Sequence, residues 1–292
     1  MIFSLIILKT KKLLKIFIPP ILLDGYRALR QATGANRGEL AGVVHLVGDF
    51  ASWQEAASHS SGYDAEIILE KTKDALLKVK NGEAAYERDS LLFDRAEYSW
   101  PLLAGLAWAA ARAEGCLNVL DFGGSLGSTY YQHRAFLSGL REVRWNIVEQ
   151  PRHVEVGRRY FEDEHLKFYA SIEDCLADTH PQVILLSSVL QYIPNPYELL
   201  EKLPALPCDA LILDRTPFYN GARDWLCVQH VPVQLYQATY PVWIFSKERF
   251  LAHLRQHWDV MAEFPSLDEL PAPVQAAWQG LIATKRKESQ YG

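Results

Sequence analysis

The sequence predicts an α/β fold in which a doubly wound, mostly parallel sheet carries helices on both faces. Short apolar runs alternate with helix-compatible segments from about residue 100 to residue 287, and this rhythm is typical of βαβ units. A glycine-rich turn follows the first of these runs and precedes a helical segment. We expect a sheet of seven strands from these runs.

The first predicted strand ends at Asp121, before a glycine-rich turn. The turn holds three glycines: Gly123, Gly124 and Gly127. Glycine lets a chain bend sharply and approach a ligand closely, and the helix start that follows offers unpaired N–H groups. A dinucleotide fingerprint from Gly123 would need G-x-G-x-x-G, but Ser125 and Ser128 occupy its second and third glycine positions. This spacing disfavours a nicotinamide or flavin site and leaves an inert βα turn as an alternative.

The remaining pattern is D-x-G-x-S-x-G with an additional glycine at position 124. It resembles the first motif of class I S-adenosylmethionine (SAM) dependent methyltransferases, usually D/E-x-G-x-G-x-G, and this resemblance implies their fold and SAM as the cofactor. Ser125 departs from the motif. Because a left-handed serine is strained, we expect Gly124 to take that conformation instead. Asp121 either supports the turn or binds the ammonium group of the methionine part.

A second acidic residue follows the next predicted strand. A helix over Thr129 to Leu140 leads to the strand Val143 to Val148, and Glu149 stands at its end. In doubly wound sheets a carboxylate at this place accepts hydrogen bonds from both ribose hydroxyls. The interval after the glycine turn is longer than the roughly 20 residues of the dinucleotide fingerprint. The alternative interpretation is that Glu149 only caps the helix that begins near Pro151.

The later segments continue the alternation of strands and helices. The remaining predicted strands are Lys167 to Ala170, Gln182 to Ser187, Asp209 to Leu213, Trp258 to Phe264 and Trp278 to Lys285. Helices are expected from Ser171, near Tyr197 to Leu203, and over Ser246 to His257, with Ser171 and Ser246 as N-caps. The last helix, strand, loop and strand resemble the antiparallel edge of the class I methyltransferase sheet.

The residues after the fourth strand of this core, Ser188 to Tyr192, are expected near the adenine or the transfer site. The predicted cofactor-binding residues are therefore Asp121, Gly123, Gly124, Ser125, Gly127, Glu149, Ser188 and Leu190. Tyr192 either faces the acceptor or packs in the core. Neither carboxylates nor histidines show a metal-ligand spacing, so no metal is predicted.

The run from 216 to 245 is too long for a simple connection, and its aromatic and polar residues suit a hydroxyl-rich acceptor or a buried lid. His230 in this run is a candidate general base because an ordinary imidazole titrates near neutral pH. Asp214 is the competing base, since it ends a strand at the edge where ligands bind. A salt-bridged structural pair with Arg215 is the other interpretation of Asp214. The predicted catalytic residues are thus His230, Asp214 and Tyr192.

Two regions are expected: an N-terminal helical extension over 1–95 and a methyltransferase domain over 96–292 with an acceptor-binding insertion at 216–245. Residues 1–18 interleave apolar residues with lysines and lack both a bilayer-spanning run and a signal-peptide pattern. They are interpreted either as a basic amphipathic helix on the inner membrane surface or as a helix packed on the domain. The protein is expected to be cytoplasmic, with peripheral membrane contact if the first interpretation holds.

Composition narrows the function classes. The chain has 292 residues, 49% of them hydrophobic and 22% charged, and a net charge of −5, so it can bury a full core and shows no basic footprint for nucleic acid. Four cysteines, none in a C-x-x-C pair, are interpreted as buried thiols of a reducing compartment. The sequence leaves the oligomeric state open.

Segments outside the glycine turn carry a second resemblance. W-x-x-A-x(6)-G-Y-D from Trp53, Y-E-R-D from Tyr86, SSVLQYI, LDRTPF and YPVWIFS resemble a methyltransferase family encountered among bacterial surface-polysaccharide (O-antigen type) biosynthesis genes. The resemblance implies a class I fold and the use of SAM, and for the acceptor it gives only the context of polysaccharide synthesis. The favoured interpretation is SAM-dependent O-methylation of a sugar or polysaccharide precursor. Two alternatives remain: an enzyme that uses another nucleotide, and a non-catalytic methyltransferase-like protein that binds SAM or a partner in polysaccharide assembly.

Overall fold

The computed structural model of the protein describes residues 45–60, 65–231, 238–267 and 276–286. The predicted amphipathic segment 1–18 lies outside these residues. None of the helices in the described ranges is long and apolar enough to span a bilayer.

Parallel strands form the centre of the sheet. They are β4 (Cys116–Phe122), β5 (Glu142–Val148), β6 (Leu166–Tyr169), β7 (Val183–Ser187) and β8 (Ala210–Tyr219). Their spatial order is β6-β5-β4-β7-β8. Their residues are nearly continuously buried, as expected for strands covered on both faces. The carboxyl ends of all these strands therefore meet at one edge.

Two strands complete the sheet beyond β8. Strand β12 (Ala276–Lys285) pairs antiparallel with β8, and β11 (Trp258–Pro265) pairs antiparallel with β12. The order β6-β5-β4-β7-β8-β12-β11, with β12 running against its neighbour β8, is that of the class I SAM-dependent methyltransferase fold. The predicted α/β, doubly wound fold class is confirmed.

Helices cover both faces of the sheet. One face carries α2 (Ala65–Lys80), α3 (Trp100–Arg112), α4 (Ser128–Leu137) and α5 (Pro151–Tyr160), packed around the buried Trp145. The other carries α6 (Ile172–Asp178), α7 (Pro196–Lys202) and α8 (Lys247–Leu254), packed around Phe245. The hydroxyls of Ser171 and Ser246 accept N–H bonds at the starts of α6 and α8, which confirms both predicted caps.

In the described ranges the sheet contains ten strands, three more than the seven predicted. The insertion contributes β9 (Trp225–Val231) and β10 (Ala238–Ser246), an antiparallel pair whose second strand joins the end of β8. Strand β1 (His45–Val47) pairs with β9. Aromatic and β-branched residues favour this extended structure, although prolines and glycines interrupt the pattern along the chain.

The described part of the N-terminal extension is not wholly helical. It contains α1 (Trp53–Ser58) and α2, but also β1 and a hairpin of β2 (Tyr86–Arg88) and β3 (Leu91–Phe93). The two turn residues Asp89 and Ser90 have φ of 51° and 68°, which matches the left-handed turns that short hairpins prefer. We refer to residues 86–93 as the N-terminal hairpin.

All four cysteines are free thiols. Cys175, Cys208 and Cys227 are buried, and Cys116 is half-buried. Burial raises the pKa of each of the three buried thiols to about 12, so they remain protonated and unreactive at neutral pH. They act as small core residues.

Candidate functional site

A cavity of about 990 Å³ lies at the carboxyl ends of β4, β5, β7 and β8. This is the edge at which open α/β sheets bind ligands. We call the part lined by the glycine turn and the end of β5 the donor half. The part lined by the insertion and by α1 is called the acceptor half. No cluster of potential metal ligands is present in the described part of the chain.

The glycine turn begins at Gly123, which directly follows β4. Its φ is +73°, and a Cβ at this position would clash with the side chain of Val189. The Gly123 N–H donates to the carbonyl of Val148, 2.9 Å away, which holds the turn against β5. Both the backbone conformation and the close approach of Val189 require glycine.

The expectation that Gly124 spares Ser125 from a left-handed conformation is wrong. Ser125 has φ of +54°, whereas Gly124 does not have a positive φ. A Cβ on Gly124 would instead collide with the carboxylate of Asp121. Gly124 is therefore needed for close packing, and the left-handed conformation falls on the neighbouring serine.

Asp121 lies beneath the turn and is only 1% exposed. Its Oδ2 accepts a 2.8 Å hydrogen bond from the indole N–H of Trp145, and its Oδ1 has no hydrogen-bond partner among the described residues. Burial raises the pKa of Asp121 to about 7; the Trp145 bond lowers it and the charge of Glu149 raises it further. Asp121 does not line the cavity. Of its two predicted roles, this position is compatible with support of the turn.

The turn ends at Gly127, which has φ of +101° and precedes the first residue of α4. Gly127 packs on the side chain of Leu166 and is not on the cavity wall, but Ser128 and Thr129 are. The start of α4 thus faces the donor half. Its unpaired N–H groups and the positive end of its dipole favour an anionic or polar ligand group.

Glu149 lies at the end of β5, half-buried, and lines the donor half together with Gln150 and Pro151. Its Oε2 accepts a hydrogen bond from the N–H of Gln150 at 2.6 Å. Gln150 is the N-cap position of α5. Glu149 therefore lines the cavity, where a ribose-binding residue would lie. One of its oxygens also accepts a hydrogen bond at the start of α5, where a helix cap would lie.

Ser188 follows β7 and lines the cavity with φ of +57°. Its N–H donates to the carbonyl of Asp214, 3.0 Å away. The side-chain amide of the buried Gln191 donates to Ser188 Oγ at 3.1 Å and to the Arg215 carbonyl at 3.3 Å. Leu190, by contrast, is fully buried in the core and does not reach the cavity. Gln191 thus connects the segment after β7 to Arg215 of β8 by hydrogen bonds.

The acceptor half contains a row of three polar side chains: Tyr192, Gln229 and Tyr240. The Tyr192 hydroxyl donates to Gln229 Oε1 at 3.3 Å, and the Gln229 amide donates to the Tyr240 hydroxyl at 3.2 Å. The two tyrosine rings meet edge to face with centroids 5.4 Å apart. All three residues and Trp53 line the cavity. Tyr192 thus faces the cavity and also packs against Tyr240.

Asp214 lies within β8, where the strand reaches the cavity, and is 3% exposed. Its Oδ1 accepts from the Ser266 hydroxyl at 2.7 Å and from the Arg215 N–H at 2.9 Å. The guanidinium of Arg215 forms an ion pair with Asp89 of the N-terminal hairpin, 2.8 Å apart. Arg215 therefore connects the end of the sheet to the N-terminal extension.

The structure does not bring His230 to the cavity. His230 is exposed on β9, whereas its neighbours Gln229 and Val231 line the acceptor half. Successive side chains of a strand point to opposite faces, so a cavity-facing Gln229 places the imidazole on the other side. The structure thus places His230 outside the cavity, and its predicted role as the general base finds no support in this geometry.

The N-terminal hairpin is part of the cavity wall although none of its residues was predicted for the site. Tyr86, Glu87, Arg88, Asp89 and Ser90 all line the cavity. The Y-E-R-D motif marks these residues in the sequence, but its position next to a glycine turn some forty residues later depends on tertiary packing alone.

Backbone strain is concentrated at this cavity. Six non-glycine residues of the described chain have positive φ, and all but Glu114 line the cavity: Asp89, Ser90, Ser125, Ser188 and Arg215. Left-handed conformations of such residues cost about 1–3 kcal/mol each and occur preferentially at functional sites. Their concentration here supports a functional role for the cavity.

No protein-family model and no curated protein sequence matches this chain. Several solved structures are similar in fold. The N-terminal domain of EvdMO1, crystallised in the presence of S-adenosylhomocysteine (SAH) and D-fucose, is 15% identical over 77% of this chain and 98% of its own, with a TM-score of 0.43. A SAM-dependent methyltransferase from Clostridium acetobutylicum is 8% identical over 62% of this chain and 89% of its own, with a TM-score of 0.41.

Magnesium protoporphyrin IX methyltransferase from Synechocystis, with bound SAM, is 14% identical over 64% of this chain and 79% of its own, with a TM-score of 0.41. Similarity at this level carries no information about substrates or residue roles. Only the cavity and the sequence motifs therefore indicate a function.

Proposed function

We propose that the protein is a SAM-dependent methyltransferase that methylates a hydroxyl group of a sugar or polysaccharide precursor. One observation carries the proposal: a single cavity joins a strand-end glycine turn and carboxylate to a wall of aromatic and amide side chains. The first is a site for a nucleoside-containing donor, and the second for a hydroxyl-rich acceptor. The resemblance of the flanking motifs to a polysaccharide-associated family favours this class of acceptor.

The cavity has room for SAM, and the residues of the donor half suit its chemistry. The cavity of about 990 Å³ is at the upper end of the roughly 300–1,000 Å³ typical of ligand pockets, so it has space for two reactants. Gly123, Gly124 and Ser125 would hold the methionine part, with Gly127 and Asp121 shaping the turn from below. Glu149 would bind the ribose, and Ser188 would lie at the adenine or transfer side. When bound, SAM supplies a methyl group activated by its sulfonium.

The acceptor half would orient the hydroxyl group and receive its proton. The row of Tyr192, Gln229 and Tyr240 offers hydrogen-bonding groups beside aromatic faces, an arrangement suited to a sugar. Asp214 is the carboxylate on the cavity wall that we assign as the proton acceptor, in the place of the exposed His230. Holding both reactants in one cavity aligns them and excludes water, which accelerates an in-line transfer.

A non-catalytic SAM- or partner-binding protein is the second candidate. The hydrogen bonds that Asp214 Oδ1 accepts from Ser266 and the Arg215 N–H favour it, because they engage this carboxylate within the protein. Turnover separates a methyltransferase from a non-catalytic protein that binds SAM, since both bind the donor; a protein that binds only a partner would not bind SAM.

The proposed function is tested first by ligand binding. SAM and SAH should each raise the melting temperature of the full chain, whereas NAD should not, because a ligand that binds only the folded state stabilises it. A shift with NAD or a UDP-sugar in place of SAM would contradict the proposal. Transfer of a labelled methyl group from SAM into cell-envelope material would then identify the acceptor, and its absence from all fractions would favour the non-catalytic candidate.

A further inference from the structure

The N-terminal hairpin lies along the cavity, and two of its contacts reach opposite sides of it. Glu87 accepts a hydrogen bond from the hydroxyl of Ser128, the first residue of α4. Asp89 pairs with Arg215 on β8, 2.8 Å away. The hairpin therefore connects the glycine-turn side of the cavity to the β8 side, and its residues form part of the wall.

Glu87 is an unusual residue in this wall because its carboxyl group is buried. It is 1% exposed. Its two oxygens accept hydrogen bonds from neutral donors, the Ser128 hydroxyl and, at 3.1 Å, the Ser90 N–H. Within the described residues it forms no ion pair within 4 Å. A buried carboxylate is costly unless a positive charge compensates it.

The surroundings of Glu87 explain its ionisation. Burial raises the pKa of Glu87 to about 7, the Ser128 bond opposes this, and the charge of Asp89 adds to it. The Ser90 N–H and Arg215 lower the pKa by smaller amounts. Glu87 is thus close to the balance between its two forms, and a cation bound beside it would favour the carboxylate.

The donor would bring such a cation to this place. The start of α4 is suited to the carboxylate of the donor's amino-acid end. In an α-amino acid the ammonium group is attached to the carbon next to the carboxylate, so it must lie beside whatever binds the carboxylate. Glu87 is bonded to the first residue of that helix and lines the cavity. Asp121, the other acid near the turn, lies below Gly124 and does not.

We propose that Glu87 is a donor-binding residue whose carboxylate binds the ammonium group of the donor's amino-acid end. The inference rests on the proposed function and deepens it. The N-terminal hairpin is then part of the donor site, and the ion pair between Asp89 and Arg215 holds it across the cavity. The role that the sequence suggests for Asp121 passes to a residue of the N-terminal extension.

The test compares two ligands by isothermal titration calorimetry of the full chain. SAH contains the amino-acid end, whereas 5′-methylthioadenosine shares its adenosine and thioether but lacks that end. Glu87→Gln should weaken SAH binding about 10- to 100-fold, the range for a hydrogen bond to a charged group. Binding of 5′-methylthioadenosine should change by less than about twofold. Glu87→Asp, which keeps the charge, should recover part of the SAH affinity.

Glu83→Gln is the matched control, because Glu83 is an exposed acid just before the hairpin and does not line this cavity. It should bind both ligands as the unaltered chain does. Equal losses for both ligands in Glu87→Gln, or unchanged SAH binding, would overturn this inference alone. Loss of both ligands in Glu87→Asp as well would also overturn it, because the role would then be structural. Failure of the unaltered chain to bind SAH would overturn the proposed function and this inference together.

Discussion

The two halves of the cavity are built in different ways. In the donor half the wall consists of strand ends and turns, and Gly123, Ser125 and Ser188 have left-handed backbone conformations there. In the acceptor half the wall consists of side chains from the insertion and from the turn after β7, joined in the row of Tyr192, Gln229 and Tyr240. The first half depends on backbone shape and the second on which side chains face inward.

The two halves should therefore respond differently to amino-acid substitutions. A residue of the donor turn is constrained by its own φ and by the atoms packed against it, so even one added methyl group disturbs the wall. A residue of the acceptor half can be exchanged at the cost of the hydrogen bonds that its side chain forms. We therefore expect changes in the donor half to affect folding and donor affinity together, and changes in the acceptor half to affect the acceptor alone.

The largest effect is expected at Asp214. Asp214→Asn should slow methyl transfer about 10²- to 10⁴-fold, the usual contribution of a general base, and should leave SAH affinity unchanged. Rates with a labelled methyl donor and titrations with SAH measure the two quantities. His230→Ala is the control and should retain the full rate, since its imidazole is exposed. A slow His230→Ala variant with a normal Asp214→Asn variant would reverse the assignment of the base.

The second effect concerns the donor turn. Gly124→Ala places a methyl group against the Asp121 carboxylate. Such overpacking costs about 1–3 kcal/mol of unfolding free energy, and displacement of the turn should weaken SAH binding by up to about a hundredfold. Urea unfolding and calorimetry measure the two changes.

Gly139→Ala is the control for this substitution. Gly139 lies in the turn after α4, with no atom within 4 Å of a Cβ at that position and no positive φ. It should keep the affinity and the stability of the unaltered chain. Similar losses in both variants would show that the effect does not come from contact with Asp121.

The third effect is a pH dependence of stability in the donor half. The pKa of Asp121 is raised to about 7 in the folded chain, so between its ordinary value and 7 the folded state binds a proton that the unfolded state has lost. The unfolding free energy should therefore fall as the pH rises from about 5 to 7. Asp121→Asn should reduce this slope by up to about 1.4 kcal/mol per pH unit.

Urea unfolding at several pH values measures this slope. Part of it should remain in Asp121→Asn, because burial also raises the pKa of Glu87 to about 7. Parallel curves for the variant and the unaltered chain would show that Asp121 does not titrate in this range.

The smallest effect is expected in the acceptor half. Tyr192→Phe removes the hydroxyl that donates to Gln229, and the acceptor KM should rise about two- to tenfold, as for a single hydrogen bond. The donor affinity and the unfolding free energy should stay nearly constant. Tyr98→Phe is the control because Tyr98 does not line this cavity. A loss of donor affinity in Tyr192→Phe would mean that the two halves are not separate.

The strands of the central sheet could be predicted from the sequence. The predicted strand Val143 to Val148 is observed as β5, Glu142–Val148, and Trp258 to Phe264 is observed as β11, Trp258–Pro265. Strands buried on both faces appear in the sequence as apolar runs, and a turn that requires glycine appears as a cluster of glycines. Residues 123–125 of the glycine turn, Glu149 and Ser188 lie on the cavity for this local reason.

The side chains that line the acceptor half could not be predicted from the sequence in the same way. A shift of one position moves a side chain to the other face of a strand, and this separates the cavity-facing Gln229 from the exposed His230. The strand pairing that decides it joins β9 to β10 and to β1, which is distant in sequence.

By itself, the order of residues determined the α/β fold, the glycine turn and the acid at the end of β5, because burial and backbone conformation act on neighbours along the chain. Only the tertiary structure decided that Asp121 lies under the turn, that Gln229 faces inward, and that Glu87 reaches Ser128. These relations depend on packing between segments far apart in the chain, whose relative positions no local pattern encodes.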